Sequence, residues 1–301
     1  MEILGLESLI YGVEDMDTCS RFNEDFGRQL VEASAACTTF RTEENSTIIL
    51  RKENDPTLPP AVTAGSQLRQ VVWSVPSTDA LEQIGAELSK DRDVTRDENG
   101  ILWSIDPMGY GLGFCVTQMQ AVVDKPGQIN TLGNPVRVDT RFQFSEKAKI
   151  LHLGHVVIHA PNLQETYEFY TERLGFVLTD SFATGQGYFL RSRGSHDHHN
   201  IFLFHVEEDL AGIDHASYAL SSFDDVAMAG QYLERKGWQS FTGPGRHQIG
   251  SNYFWYFDSP CGGKVEYYAD MDYLTDDWVP REWEFGPHVV AAWDTGPGFA
   301  Q

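Results

Sequence analysis

Basic residues are scarce in this chain of 301 residues. It has 22 Lys and Arg against 44 Asp and Glu, so the formal net charge is −22 with His neutral. Such a surface repels the phosphates of nucleic acid and of anionic lipids, and neither nucleic acid nor a membrane is expected as a partner. We interpret most of the surplus acidity as a well-solvated surface.

Cysteine is also rare, with four in the whole chain. None of them forms a Cys-x-x-Cys pair, which argues against a disulfide framework and favours a reducing, cytoplasmic setting. The first residues lack a basic region followed by an apolar run, so no signal peptide is expected. No apolar stretch approaches the roughly 20 residues that a membrane-spanning helix needs.

The sequence instead contains an internal repeat. A strand-like run is followed by a predicted helix that ends at Gly27, and the same order recurs up to Gly175, an offset of 148 residues (175 − 27). Asn162 is a plausible N-cap of the second helix. Leu163 and Tyr170 follow at near-helical spacing. The two halves of the chain therefore begin alike.

A second kind of unit also occurs twice. The strand-like run 68–75 precedes a predicted helix over 77–88, and the run 213–220 precedes one over 222–236. Short β-rich runs broken by Gly and polar clusters follow each helix. We therefore predict four modules, each with a strand, a helix and several further strands.

The boundary between the halves is predicted within residues 124–146, which contain Lys125-Pro126-Gly127 and Gly133-Asn134-Pro135. Both runs favour turns. The predicted segments are an N-terminal domain over 1–130, a C-terminal domain over 147–285 and a tail over 286–301. For the segment from Met271 to Trp293, a place across the second domain and a subunit contact are both open.

Three residues suited to metal binding stand on predicted strands of the second half: His155, His215 and Glu266. Two neutral imidazoles and one carboxylate can occupy one face of Fe(II) and leave positions open for an organic substrate and O₂. Mn(II) and Zn(II) also accept such donors. Since a single His on a strand is more often structural than a ligand, these three residues, the metal triad, count only as a set.

The repeat supports this set. At offsets of 148, 145 and 153 residues (155 − 7, 215 − 70 and 266 − 113), the first-half counterparts of the metal triad are Glu7, Gln70 and Gly113. The three candidates are present together in one half and absent together from the other. This pattern predicts a metal-binding C-terminal half and an N-terminal half without a metal.

Three runs carry a family resemblance: Leu153-Gly154-His155-Val156-Val157, Asp214-His215-Ala216-Ser217-Tyr218, and Gly245 to Glu266 with Tyr256 and Pro260-Cys261-Gly262 inside it. Together they resemble the type I extradiol dioxygenases of the vicinal oxygen chelate superfamily. The resemblance covers nearly the whole chain and is specific over residues 153–268. Trp255 and Ser259 depart from the family signature outside its ligand and proton-transfer positions, and Trp255 is expected to affect packing near the substrate.

The resemblance implies an α+β fold of two domains, each with two βαβββ modules that form an open barrel around the site. It further implies extradiol cleavage of a catechol by O₂ at a mononuclear Fe(II), with Mn(II) as the alternative metal. The product would be a ring-opened semialdehyde acid of aromatic degradation. A catechol and O₂ are the expected small-molecule partners, and a homo-oligomer is expected.

The resemblance also assigns roles. His199 matches the family's acid–base His, with His198 as a one-residue alternative. His247 matches a His beside the substrate hydroxyls, and Tyr256 matches a Tyr that hydrogen-bonds a substrate oxygen. His196 and His198 are otherwise interpreted as part of a solvated loop. The remaining histidines are interpreted as structural or surface residues: His152, His159, His205 and His288.

Two alternatives remain open. A 4-hydroxyphenylpyruvate-type dioxygenase uses two His and one Glu on the same fold, although it is usually longer and has a C-terminal helix over the site. A ligand-binding or resistance protein of this fold would need no intact metal triad. The substitution of the catechol ring is not readable from the sequence.

Overall fold

Two large mixed sheets form the chain in the computed structural model, which describes residues 1–124 and 129–296. The last strand of the first sheet ends at Val116, and the first strand of the second begins at Leu153. The predicted turn Lys125-Pro126-Gly127 and residues 297–301 of the predicted tail lie outside the described residues. The domain limits at 130 and 147 stay a prediction.

The first sheet has eight strands in the order β2-β3-β4-β1-β5-β8-β7-β6. Its elements are β1 (Gly5–Val13), α1 (Met16–Phe26), β2 (Gln29–Ala33), β3 (Cys37–Arg41), β4 (Thr47–Lys52), β5 (Gln67–Val75), α2 (Thr78–Leu88), β6 (Thr95–Arg96), β7 (Leu102–Ile105) and β8 (Gly111–Val116). Two βαβββ modules thus meet where β1 pairs with β5 in antiparallel fashion.

The second sheet has ten strands in the order β17-β10-β11-β12-β9-β13-β16-β15-β14-β18. Its elements are β9 (Leu153–His159), α3 (Leu163–Glu168), β10 (Val177–Phe182), β11 (Gly187–Arg191), β12 (Ile201–Phe204), β13 (Gly212–Ala219), α4 (Phe223–Arg235), β14 (Ser240–His247), β15 (Tyr253–Asp258), β16 (Lys264–Ala269), β17 (Arg281–Trp283), α5 (Pro287–Val290) and β18 (Ala291–Asp294). Two more βαβββ modules meet at the β9–β13 pair, so the predicted α+β fold of four modules is confirmed.

The first helix of the second half differs from its counterpart in the first. Both helices stop at the predicted glycine, with φ of 108° at Gly27 and 78° at Gly175, a conformation that glycine adopts without strain. In α3, however, a π-helical turn over Phe169–Arg173 follows the α-helical part. Such a widened turn holds one extra residue within the same helix.

The two halves share one hydrophobic core. Phe26 at the end of α1 stacks on Tyr267 of β16 with ring centroids 4.1 Å apart, and Trp73 of β5 meets Phe176 edge-on at 4.9 Å. Aromatic pairs of this kind add to the burial of apolar area. The N-terminal half, which lacks the metal triad, therefore supports the back of the sheet that carries it.

The segment after β16 crosses the second domain, as one of the two alternatives for Met271 to Trp293 stated, and the other alternative, a subunit contact, stays a prediction. Strand β17 pairs with β10 at one edge of the second sheet, and β18 pairs with β14 at the other. The chain between them brings Phe285 and Val290 to the cavity described below. Among the helices of residues 1–124 and 129–296, none has the length and apolar character to cross a membrane.

Candidate metal centre and its cavity

The six predicted site residues lie along one stretch of the second sheet. In spatial order, from the turn just before β12 to the end of β14, they are His199, His155, His215, Glu266, Tyr256 and His247. The metal triad occupies β9, β13 and β16, and the three residues predicted as catalytic flank it on both sides. Rigid neighbouring strands therefore bring together residues up to 111 positions apart in the sequence (266 − 155).

The three side chains of the metal triad converge on one point. One ligand atom from each, in His155, His215 and Glu266, lies within 4.8 Å of the other two, and all three residues are buried. Nε2 of His155 is 3.2 Å from Oε2 of Glu266, and Nε2 of His215 is 3.7 Å from the same oxygen. This arrangement could hold a divalent metal ion.

The hydrogen bonds of His215 fit a metal ligand. Its Nδ1 lies 2.6 Å from Oδ2 of Asp214, so a proton on Nδ1 is donated to that carboxylate. Its Nε2 is buried without a hydrogen-bond partner among the described residues and lies 3.7 Å from Oε2 of Glu266. A carboxylate behind a ligating imidazole fixes the ring and raises its basicity, as is usual at metal sites.

Asp214 was not predicted as a site residue. Besides His215 it accepts a hydrogen bond from Nζ of Lys264 at 2.7 Å, and Nε2 of His159 lies 3.3 Å away. Burial would raise the pKa of Asp214, but the hydrogen bond and the charge of His215, with Lys264, hold it well below its usual range. His159 was expected to be structural or on the surface, yet it is half-buried and lines the cavity.

Glu266 is fully buried and remains ionised. Burial acts to raise its pKa, but the hydrogen bond from His155, together with the nearby rings of His247 and His215, holds that pKa well below the ordinary value. Ser217 donates to Oε2, and Nδ2 of Asn252 lies 3.2 Å from Oε1. Burial also lowers the pKa of His155, which favours the neutral form that binds metals.

The run of histidines before β12 is not a solvated loop throughout. His196 is exposed as predicted, but His198 and His199 are only 0% and 5% exposed, so the prediction for His198 was wrong. Of the two, His199 lines the cavity, with its ring 4.1 Å from that of His155. Burial and the neighbouring imidazoles hold the pKa of His199 well below its usual value.

On the other flank, His247 and Tyr256 contact each other. Nε2 of His247 lies 2.9 Å from the Tyr256 hydroxyl, and its Nδ1 lies 2.6 Å from the carbonyl oxygen of Val290. A carbonyl oxygen can only accept, so Nδ1 carries the proton, and Nε2 of the neutral ring accepts from Tyr256. The ring of Tyr256 stands edge-on to His215 at 5.0 Å.

A cavity of about 240 Å³ opens in front of these groups. Its walls are mainly apolar, and the lining includes Phe182, Phe189, Phe202, Phe204, Phe285, Val157, Ile249, Val289 and Val290. Phe285 and the two valines from α5 come from the C-terminal segment, which therefore completes the cavity. Trp255 does not line it: its side chain packs on Gly230 of α4, so the expected effect on packing near the substrate is not found.

His152, His205 and His288 do not line the cavity. His205 and His288 are exposed, as predicted. His152 is half-buried, with Nε2 2.8 Å from the Tyr268 hydroxyl and 3.3 Å from the carboxylate of Asp197. Burial lowers the pKa of His152, but the bond to Asp197 outweighs this and raises it to about 9.

The corresponding place in the first half has no room for a counterpart of the Glu266 side chain. The strand register confirms Gln70 and Gly113 as the counterparts of His215 and Glu266. The counterpart of His155 is Ser8 and not Glu7, because Ser8 pairs with Val72 as His155 pairs with Ser217. A side chain at Gly113 would meet the ring of Trp103 at 2.7 Å. The indole therefore fills the space that the carboxylate takes in the second half.

Residues 152–267 match the family model of the glyoxalase/bleomycin resistance protein/dioxygenase superfamily. The matched segment carries the whole metal triad and is similar to that superfamily. The fold of the whole chain is similar to that of a Mn(II)-bound glyoxalase from Novosphingobium aromaticivorans, with a TM-score of 0.78, 22% identity, and 99% of this chain and 92% of that one covered.

Curated relatives of the chain include proteins named as a metapyrocatechase and as an extradiol dioxygenase. Metapyrocatechase 2 of Cupriavidus necator is 34% identical over 181 residues, which are 59% of this chain and 55% of the relative. An iron-dependent extradiol dioxygenase of Rhodococcus jostii is 28% identical over 141 residues, 43% of this chain and 47% of the relative. The chain thus spans about half the length of these relatives.

Proposed function

We propose that this chain is an extradiol dioxygenase, which opens a catechol ring beside its two hydroxyls and incorporates both atoms of O₂. One observation carries the proposal. The metal triad is buried at an aromatic cavity that His155 and His215 line, with His199 on one flank and Tyr256 and His247 on the other. The resemblance of the sequence to this family, and the names of the curated relatives, support the same reaction.

The metal is proposed to be Fe(II), held by His155, His215 and Glu266, with Mn(II) as the alternative. Two imidazoles and a carboxylate suit both ions, and one relative is named iron-dependent while the similar glyoxalase structure holds Mn(II). When bound, such an ion supplies open positions where a catechol and O₂ meet and exchange electrons.

Tyr256 and His247 are proposed to take up one substrate proton. As a catechol hydroxyl gives its proton to the Tyr256 oxygen, the phenolic proton passes to Nε2 of His247, which already accepts it at 2.9 Å. The carbonyl of Val290 holds the other ring nitrogen in the protonated form that this step requires. Burial raises the pKa of Tyr256 far above its usual value, so the phenol passes protons on and is not itself left ionised.

His199 is proposed to exchange the second proton on the opposite flank. It is buried beside His155 and faces the cavity, where it can hold charge on the reacting oxygens and take up or return a proton. Ring cleavage adds two oxygen atoms and changes no hydrogen count, so both protons return to the semialdehyde acid that forms. The apolar walls exclude competing water.

The test is anaerobic loading of the chain with Fe(II), followed by mixing with mono- and bicyclic catechols in air. We expect iron-dependent O₂ uptake and a yellow ring-fission product. His155→Ala should lose both the bound iron and the product, whereas His205→Ala, at an exposed position, should keep them. No O₂ uptake with any catechol at full iron occupancy would refute the proposal. The expected homo-oligomer and cytoplasmic setting stay predictions.

A further inference from the structure

A buried relay of hydrogen bonds stands behind His199. Nδ1 of His199 lies 3.1 Å from Nδ1 of His198, and Nε2 of His198 lies 3.3 Å from Oδ2 of Asp180. Both His198 and Asp180 are at most 2% exposed. Neither residue touches the cavity, so they can act on the reaction only through His199.

The C-terminal segment completes the surroundings of Asp180. The backbone N–H of Arg281 donates to Oδ1 at 2.8 Å, and the indole N–H of Trp283 donates to Oδ2 at 3.0 Å. Both groups are obligate donors, so the carboxylate accepts from each of them. Two donors besides His198 stabilise its negative charge, and Asp180 does not require a protonated imidazolium as counter-ion.

The donors and acceptors then follow in order. A neutral His198 donates from Nε2 to Asp180, so its Nδ1 holds a lone pair. Two lone pairs 3.1 Å apart would repel, so the proton between the rings must sit on Nδ1 of His199. In a neutral imidazole the other nitrogen, Nε2, is then left without a proton.

We propose that Asp180, acting through His198, fixes His199 in its Nδ1–H tautomer and so presents a bare Nε2 to the cavity. Asp180 and His198 are thus positioning residues, and Trp283 ties them to the C-terminal segment. The inference deepens the proposed function, and its catalytic meaning rests on that function. In the reaction, an O–H bond of a substrate hydroxyl breaks, the proton passes to Nε2 of His199, and the electron pair stays on the substrate oxygen. His199 would enter the reaction as a base.

The test is nitrogen-15 NMR of the full, metal-free chain with labelled histidine, with the His199 signals identified by their loss in His199→Gln. The unprotonated nitrogen of a neutral imidazole resonates far downfield of the protonated one. We expect Nε2 of His199 to give the downfield signal and Nδ1 to carry the proton. A proton on Nε2, alone or together with Nδ1, would overturn the proposal.

Two variants assign the effect to His198. His198→Phe fills the buried space but offers no acceptor, so His199 should lose the Nδ1–H pattern. His198→Asn can place its amide oxygen where Nδ1 was, so it should keep that pattern. An unchanged tautomer in His198→Phe, or its loss in His198→Asn, contradicts the role of His198. Because the NMR experiment measures no turnover, the tautomer result stands even if the dioxygenase assay fails. Likewise, a different tautomer would leave a positive dioxygenase assay standing.

Discussion

The carboxylate of Asp214 lies 2.6 Å from Nδ1 of His215, the ring whose Nε2 is proposed to bind the metal. Outer carboxylates of this kind typically contribute about 10- to 100-fold to metal affinity. We therefore expect Asp214→Asn to weaken Fe(II) or Zn(II) binding by about that factor, because the neutral amide is a poorer acceptor for the imidazole proton.

Competition with a chelator of known affinity measures this change. Asp209→Asn removes an equal charge from an exposed position and should leave the metal affinity unaltered. If Asp214→Asn binds metal as tightly as the unchanged chain, the carboxylate has no part in orienting His215.

Tyr256 provides the second prediction. Tyr256→Phe removes the hydroxyl from which Nε2 of His247 accepts a hydrogen bond at 2.9 Å, and it keeps the aromatic ring beside His215. We expect kcat to fall about 100-fold or more, the usual worth of a positioned proton-transfer group, with bound iron unchanged. Steady-state O₂ uptake and metal analysis on one sample separate the two effects; a parallel loss of iron would show that the hydroxyl supports the metal site instead.

The sequence predicted the four modules and the metal triad because both rest on patterns within the chain. Helix-ending glycines and alternating strands reveal the repeat, and the repeat shows that the triad is confined to one half. The offset of 148 residues failed by one at Glu7 for a physical reason. The π-helical turn in α3 holds an extra residue between the strand and Gly175, so the strands themselves are offset by 147, which aligns His155 with Ser8 (155 − 8).

What the sequence could not show depends on contacts between distant segments. His198 stands in a polar run that is typical of an exposed loop, and it is buried because the C-terminal segment covers it, with the indole of Trp278 6.0 Å from its ring. Asp180 and Val290 gain their roles in the same way. Only Asp214 could have been found from the sequence, because it directly precedes the candidate metal ligand His215.

The third prediction concerns pH. Asp106 is buried and accepts from the backbone N–H groups of Met108 and Tyr110, both at 2.9 Å, and from the Tyr170 hydroxyl at 3.2 Å. Burial raises the pKa of Asp106 to about 6, and the hydrogen bonds only partly oppose this. The pKa of Asp106 in the folded chain exceeds its value of about 4 in the unfolded chain, so the protonated carboxyl stabilises the folded state. This stabilisation is complete below pH ~4 and is lost as the pH rises through ~6.

Asp106→Asn keeps an oxygen for the two backbone groups and cannot ionise. Its free energy of unfolding should rise relative to that of the unchanged chain between pH 4 and 7, by up to about 3 kcal/mol. Urea titrations at several pH values measure the difference, and Asp277→Asn, at an exposed position, should show none. A difference independent of pH would mean that Asp106 keeps its charge when buried.

The last prediction concerns the charge of the substrate. Among the described residues that line the cavity there is no Lys or Arg, and most of the wall is Phe, Val and Ile. A carboxylate on the catechol ring would be buried there without a counter-ion, at a cost of several kcal/mol. We expect kcat/KM for an alkyl- or phenyl-substituted catechol to exceed that for a carboxylated one by at least about 100-fold, which corresponds to about 3 kcal/mol.

A charge added to the wall tests this reason directly. Phe285→Arg places a guanidinium at the cavity and should improve kcat/KM for the carboxylated catechol. The ratio of kcat/KM for the alkyl- or phenyl-substituted catechol to that for the carboxylated one should therefore decrease. Trp293→Arg adds the same charge to β18, at a position that does not line the cavity, and should leave the ratio unchanged. Equal kcat/KM for the two kinds of catechol in the unchanged chain would show that a carboxylate stays in solvent, outside the apolar walls.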